Sequence, residues 1–225
     1  MSEYVLQARN LSKTVSVADQ PLCILHELSL SLKPGDSLAI VGRSGSGKST
    51  LLGLLAGLDL PSSGEVILAG QNLNRLDEDQ RAALRAREVG FVFQSFQLLD
   101  SLTALENVML PLELKNRKGA RQQALKLLRE VGLEQRTRHY PQQMSGGEQQ
   151  RVAIARAFAA EPHILFADEP TGNLDSQTGE HITDLLFELN RARHTTLVLV
   201  THDDRLAQRC ASQIRLEAGR LTEQS

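Results

Sequence analysis

The chain has 225 residues, 41% of them hydrophobic, which suffices for one large domain or one domain with an inserted lobe. Its 25 Lys and Arg against 27 Asp and Glu give a formal net charge of −2, which excludes a general attraction to nucleic acid or anionic lipid. Two cysteines, Cys23 and Cys210, lie far apart without metal-ligand spacing, which argues against a disulfide framework or zinc site and for a reducing cytosol.

In chain order, Met1-Ser2-Glu3-Tyr4 has no basic-then-apolar leader pattern, and no run reaches the length that crosses a bilayer. Work at a membrane would need docking on another protein. Tyr4 to Ala8 reads as an opening strand. Leu22, Ile24, His26, Leu28, Leu30 and Leu32 alternate with mostly polar partners, which predicts a half-buried strand, although Cys23 and Leu25 break the period. His26 reads as a packed or edge histidine. Pro34-Gly35 turns the chain into an apolar strand, Ser37 to Val41. A glycine-rich stretch and a helix follow, then a turn at Pro61 to Gly64, a strand at Glu65 to Leu68 and a surface helix over Asp77 to Arg87. Val89 to Phe93 is a buried strand ending on Gln94, followed by an unusually apolar loop with Phe96, Leu98, Leu99 and Leu102.

Thr103 and Glu106 form a capping box that starts a helix, which Pro111 is expected to interrupt. Ala120 to Val131 is amphipathic and ends at Gly132. Residues 95–160 are therefore expected to form a mainly helical insertion. The segments flanking it are 1–94 and 161–225. Beyond it, His163 to Ala167 and Thr196 to Val200 read as strands around a helix from Gln177 to Arg191, with a small hairpin about Gly219 at the end. Alternating apolar strands and helices predict an α/β fold with a mostly parallel sheet covered on both faces.

The strongest chemical signal is Gly42-Arg43-Ser44-Gly45-Ser46-Gly47-Lys48-Ser49-Thr50, between a strand and a helix. The glycines let backbone N–H groups converge on a phosphate chain, and the positive end of the next helix favours it. Lys48 would reach the β- and γ-phosphates and Ser49 would place its hydroxyl on Mg²⁺. Asp168-Glu169 end an apolar strand, where parallel sheets bind ligands; Asp168 suits the metal and Glu169 the attacking water. Ser145-Gly146-Gly147 opens a helix. Ser145 and Glu148 match a capping box, but two glycines in a first turn cost roughly 1 kcal/mol each against alanine. Bare backbone at a helix start can approach a phosphate, so this is a second candidate contact. His202, past a strand, can reach a γ-phosphate or the water-orienting carboxylate, and Gln94 can reach the metal or water.

Taken together and in order, the P-loop, Gln94, Ser145-Gly146-Gly147, Asp168-Glu169, Asp175 and His202 resemble the ATP-binding subunits of ABC transporters over almost the whole chain. The Ser-Gly-Gly stretch looks like that family's signature motif. The resemblance implies a RecA-like P-loop NTPase core with a small antiparallel β-subdomain and an inserted helical subdomain. It implies ATP and Mg²⁺ as cofactors and ATP hydrolysis. It also implies a head-to-tail homodimer with ATP between the P-loop of one chain and the signature of the other. The partner it implies is an integral-membrane permease, which would hold the chain on the cytoplasmic face of a bacterial inner membrane. Gly90 to Gln94, Leu102 to Val108, Ser145 to Arg151 and Pro170 to Asp175 resemble in particular the lipoprotein-releasing and macrolide-export branch. Three positions depart from the family pattern. Val15 follows Leu11-Ser12-Lys13-Thr14 where an aromatic residue usually stacks on adenine, Met144 replaces Leu, and Glu148 replaces the commoner Gln.

Two other classes compete. A soluble ABC-type ATPase acting on DNA or ribosomes would usually carry paired cassettes, coiled coils, zinc cysteines or basic arms, and none is present. A P-loop kinase or GTPase would leave Ser145-Gly146-Gly147 unexplained, and no guanine-reading Asn-Lys-x-Asp occurs.

Overall fold

The computed structural model describes residues 3–18 and 20–224; the leader reading at Met1 and Ser2 lies outside them. The chain opens with two long strands, β1 (Leu6–Val17) and β2 (Gln20–Leu32), then β3 (Ser37–Val41), α1 (Lys48–Leu55), β4 (Ser63–Leu68) and the two-residue β5 (Gln71–Asn72). Next come α2 (Glu78–Glu88), β6 (Val89–Phe93), α3 (Ala104–Leu114), α4 (Ala120–Glu130) and α5 (Gly146–Ala159). The last part is β7 (Ile164–Asp168), α6 (Ser176–Arg193), β8 (Thr196–Thr201), α7 (Asp204–Ala207), β9 (Ser212–Glu217) and β10 (Arg220–Gln224).

Two sheets result. β2-β1-β4-β5 is antiparallel, and β10-β9-β3-β8-β7-β6 is parallel apart from the β9–β10 hairpin. The parallel strands read as continuous apolar runs because both faces are covered. Leu38, Ile40, Val198, Val200 and Phe166 face the antiparallel sheet and α1, while Ala39, Val41, Leu165, Leu197 and Leu199 face α3 to α6. Each fully buried Leu contributes roughly 1.5–3 kcal/mol, so these two layers fix the strand order. Parallel pairing then puts the ends of β3, β6, β7 and β8 along one edge, and with them Gly42, Gln94, Glu169 and His202.

Two local expectations fail. Along β2 the buried face does not follow one period: Leu25, Leu28, Leu30 and Leu32 are buried and Leu22 is exposed. Glu27 takes a left-handed φ of 48°, its N–H bonds the Ser12 hydroxyl, and the β1–β2 register shifts there, so the strand changes face. Pro111 does not interrupt α3, which runs on to Leu114. It lies one turn from the helix end, so only the bond of its missing N–H is lost, and burial of Leu105, Val108 and Leu112 holds the helix. The first N–H groups of α3 are met from the turn before α5: Ala104 donates to His139 O and Leu105 to Thr137 O, at 2.8 and 3.0 Å.

Candidate active site

The segment from β3 into α1 wraps tightly. A Cβ on Gly42 would collide with the Leu216 carbonyl of β9, and Gly47, at φ +101°, caps α1 with no side chain to occupy its N–H groups. Those donors stay available at the positive end of the helix. Lys48 is buried and folds over the loop, its Nζ donating to Gly42 O at 2.8 Å and Arg43 O at 3.0 Å, which leaves one of three donors. Ser46 Oγ is buried without a partner. The closing hairpin braces the loop from below, Gly219 N donating to Ser46 O at 3.1 Å and His26 N donating to Gly219 O at 2.9 Å.

A cleft of about 890 Å³ opens above this loop. Arg43, Ser44, Gly45, Gly47, Lys48, Ser49, Thr50, Gln94, Asp168, Glu169 and His202 all line it. The Ser49 hydroxyl bonds Asp168, whose carboxyl is raised above its ordinary range chiefly by burial and further by the neighbouring Glu169 charge, against the pull of Ser49 and Lys48. Glu169 adopts a left-handed φ of 48°, its N–H fixed by Val200 O at 2.9 Å, and its Oε1 lies 2.9 Å from His202 Nδ1. Backbone strain of this kind in a non-glycine residue, at the mouth of a cleft, is what surrounding structure must enforce. The Gln94 amide is held from the far side, its Nε2 donating to Asn173 Oδ1 at 3.1 Å while Asn173 Nδ2 donates to Gln94 O at 3.0 Å. A Cβ at Gly172 would crowd that amide.

The oxygen donors of Ser49, Asp168 and Gln94 are the hard ligands that Mg²⁺ prefers, and the free N–H groups with Lys48 suit a polyphosphate. The arrangement sets a carboxylate and an imidazole at the mouth of a cleft suited to a polyphosphate, the groups that phosphoryl transfer to water requires.

Not every residue singled out in the sequence reaches this cleft. Gly42 and Ser46 lie beneath it. Asp175 caps α6 through Thr178 N at 3.0 Å and lines an adjoining cleft that shares Glu169 and His202. Ser145, Gly146 and Gly147 do not line the P-loop cleft. Ser145 caps α5 in a full capping box with Glu148, and Glu148 also accepts from Arg136 Nε at 2.8 Å, which gives Glu rather than Gln a purpose there. Gly147 has a reason within the chain, because a Cβ would come 2.6 Å from Thr178 Cγ2 of α6. Val15 pairs with Leu22 across β1–β2 and does not line the cleft, whereas Leu22 and Ile24 do.

The sequence reading missed Asn173, Gln150 and Asn107. Gln150, fully buried, donates to Pro170 O and so ties α5 to the segment after Glu169. Asn107, also fully buried, binds Leu99, Leu102 and Thr103 backbone and organises the apolar loop. An amide on an otherwise apolar helix face was the available signal for Asn107. The thiols are both free; burial pushes Cys210 up to about 12, leaving it inert.

The sequence profile of the ABC transporter family matches residues 25–172, more than half of the chain. YbbA of Escherichia coli (strain K12), an ABC transporter ATP-binding protein, is 55% identical over all of this chain and 99% of its own length. The sequence motifs resemble the same YbbA type. YbbA of Shigella flexneri is equally similar. Among solved structures, the cassette MJ0796, a dimer in a post-hydrolysis state bound to ADP and Pi, superposes with a TM-score of 0.91 at 42% identity, covering 98% of this chain and 97% of that one. CbiO1 from Clostridium perfringens, part of the ABC transporter complex cbiONQ, superposes with a TM-score of 0.86 at 28% identity, covering all of this chain and 89% of that one. Profile, full-length relative and fold agree with the P-loop cleft, and the chain belongs to the ABC transporter ATP-binding family, whose cassettes bind and hydrolyse ATP.

Proposed function

We propose that this chain is the motor subunit of a membrane transporter that uses ATP to close and open a head-to-tail pair of its own copies. In each site Lys48 and the 42–50 backbone of one chain hold the ATP phosphates, and Ser145, Gly146 and Gly147 of the other complete the pocket. Asp175 sits at the seam. Ser49, Asp168 and Gln94 would hold Mg²⁺, which would supply positive charge against the phosphates. Glu169 orients the attacking water, and His202 fixes Glu169 from one side and meets the γ-phosphate from the other. Residues 95–160 act as a lobe that carries Ser145 towards the partner chain, against a core of 1–94 and 161–225.

The observation that carries this reading is the pairing of strained Glu169 with His202 across the mouth of the Lys48 cleft. Replacing the carboxylate while keeping its shape tests it. Glu169→Gln is expected to bind ATP normally and to lose roughly 10²- to 10⁴-fold in cleavage rate, the range for a positioned acid–base group. It should also persist as an ATP-bound dimer in size-exclusion chromatography. Full cleavage by Glu169→Gln would remove the assignment.

No helix among the described residues is long and apolar enough to cross a membrane, and in our reading a separate permease carries the cargo path. We place the contact with that permease in an apolar groove of about 350 Å³ between β6, α3 and α5. It is lined by Phe91, Phe93, Leu110, Pro111 and the exposed Leu114. The apolar loop residues Phe96, Leu98, Leu99 and Leu102 do not line it. Leu98 packs on the core, and Arg156 holds the Phe96 and Gln97 carbonyls. The four motif stretches shared with the lipoprotein-releasing and macrolide-export branch favour export, or extraction of a lipophilic cargo or lipoprotein from the inner membrane.

A further inference from the structure

α5 buries an amide that its own packing does not need. Gln150 is fully buried, in a helix whose positions Val152, Ala153 and Ile154 are fully buried too. Its Nε2 donates to Pro170 O at 2.5 Å, and its Oε1 is buried with no partner. A half-satisfied buried amide costs stability, and an apolar side chain of similar size would fill the space without an orphaned oxygen. What only the amide supplies is the bond across to Pro170, 20 residues further along the chain.

Pro170 follows Glu169 directly. The left-handed φ of 48° at Glu169 persists only while both of its flanks are fixed. On the upstream side Glu169 N donates to Val200 O at 2.9 Å. On the downstream side Gly172 N donates to Glu169 O at 3.0 Å, and Gln150 is the one donor to the Pro170 carbonyl among the described residues. The same segment ends at Asn173, which exchanges two bonds with Gln94. Residues 170–173 thus join Glu169 to Gln94, and Gln150 ties that join to α5.

We propose that Gln150 is a positioning residue for ATP cleavage, acting through Pro170 on Glu169 of its own chain. This rests on the roles given above to Glu169 and Ser145. α5 then serves two sites. Its cap, Ser145, faces the partner's ATP, while Gln150, about 7.5 Å further along the axis, steadies the carboxylate of its own chain's site. Gln150 does not line the P-loop cleft, so its loss acts on the rate of cleavage and not on ATP binding.

Gln150→Met keeps the volume and removes the donor. The homodimer should lose roughly 10- to 100-fold in kcat, the scale of a catalytic group displaced by up to about 1 Å, with ATP affinity within about twofold of wild type. Gln150→Asn, which withdraws the amide by one methylene, should do the same and stands in if the Met variant does not fold. Unchanged kcat in a folded variant overturns the proposal. Mixed dimers, purified through two tags, separate positioning from support of the fold. When one chain carries Glu169→Gln, the surviving site takes Lys48 and Glu169 from the other chain and Ser145 from the silenced one. Gln150→Met in the chain with intact Glu169 should slow single-turnover cleavage by the same roughly 10- to 100-fold, and in the silenced chain it should leave cleavage within about twofold. The reverse pattern would mean that Gln150 serves the Ser145 turn, and equal slowing would mean that it only supports the fold; either result overturns the proposal. If the parent mixed dimer cleaves ATP at both sites, Glu169 itself is misassigned, and the earlier reading falls together with this one.

Discussion

Two glycine-rich turns lead into helices in this chain, and they are built in opposite ways. At Gly42 to Gly47 the glycines serve the backbone: Gly42 passes against the Leu216 carbonyl, Gly47 holds φ +101°, and no side chain caps α1. At Ser145 to Gly147 the helix caps itself through Ser145 and Glu148, and Gly147 exists to let α6 approach. The first turn leaves its donors for a ligand. The second has spent part of its donors internally and presents an exposed serine hydroxyl and a half-buried Gly146. A turn of the second kind makes a poor phosphate site alone and a good half-site for one already held elsewhere, which is why the two fit a shared pocket between chains.

The comparison breaks most visibly at Lys48. Lys48→Ala removes the charge over the first turn and should cost roughly 10²- to 10³-fold in ATP cleavage, the scale of losing one preorganised donor, with weaker binding measured by nucleotide titration. Unaltered cleavage would mean the phosphates lie elsewhere. A smaller effect separates the two glycines of the second turn. Gly147→Ala drives a methyl onto Thr178 Cγ2, whose hydroxyl is bonded to Asp175, and should destabilise the folded chain by about 1–3 kcal/mol as an overpacking change. Thr178→Ser should restore most of that loss in urea unfolding. Gly146→Ala meets Leu174 Cδ2 at 3.3 Å and Phe96 Cζ at 3.5 Å, both ends of flexible side chains, so stability should change by less than about 1 kcal/mol, while ATP cleavage by the dimer drops because the added methyl disturbs the turn that carries Ser145. Equal stability losses at 146 and 147 would erase the distinction.

The smallest expected effect sharpens the electrostatics of the first site. The Asp168 carboxyl is raised in the folded state, so its ionisation costs stability: the contribution is fully present below the ordinary carboxylate range and is lost as pH rises through the raised value. Asp168→Asn should therefore melt higher than wild type at neutral pH without nucleotide, and the gap should close as pH falls into the ordinary carboxylate range. A constant gap across that range would contradict burial as the cause.

The P-loop, Asp168-Glu169 and His202 were legible because each sits at the end of an apolar strand, and parallel pairing of those strands is enough to gather them. The fold class followed from the same alternation. What was illegible depended on contacts between distant segments. The face change in β2 needs Ser12 to catch the Glu27 N–H. The hold on Gln94 comes from Asn173, 79 residues on. The turn of the apolar loop comes from Arg156 of α5, which holds the carbonyls of Phe96 and Gln97, both in left-handed conformations that no local pattern announces. Pro111 misled for a related reason: tertiary burial of its helix outweighs one missing hydrogen bond.

The shared pocket is tested most directly by mixing two dead variants. Lys48→Ala disables the first turn and Ser145→Arg blocks the second with bulk and misplaced charge, so each homodimer should cleave ATP at least roughly 10²-fold more slowly than wild type. In a mixed dimer one site carries both defects, while the other joins an intact Lys48 to an intact Ser145. With mixed dimers verified by two distinguishable tags, single-turnover cleavage should return at that one site. Mixed dimers that form but cleave nothing would contradict the assignment of Ser145 to the partner's ATP.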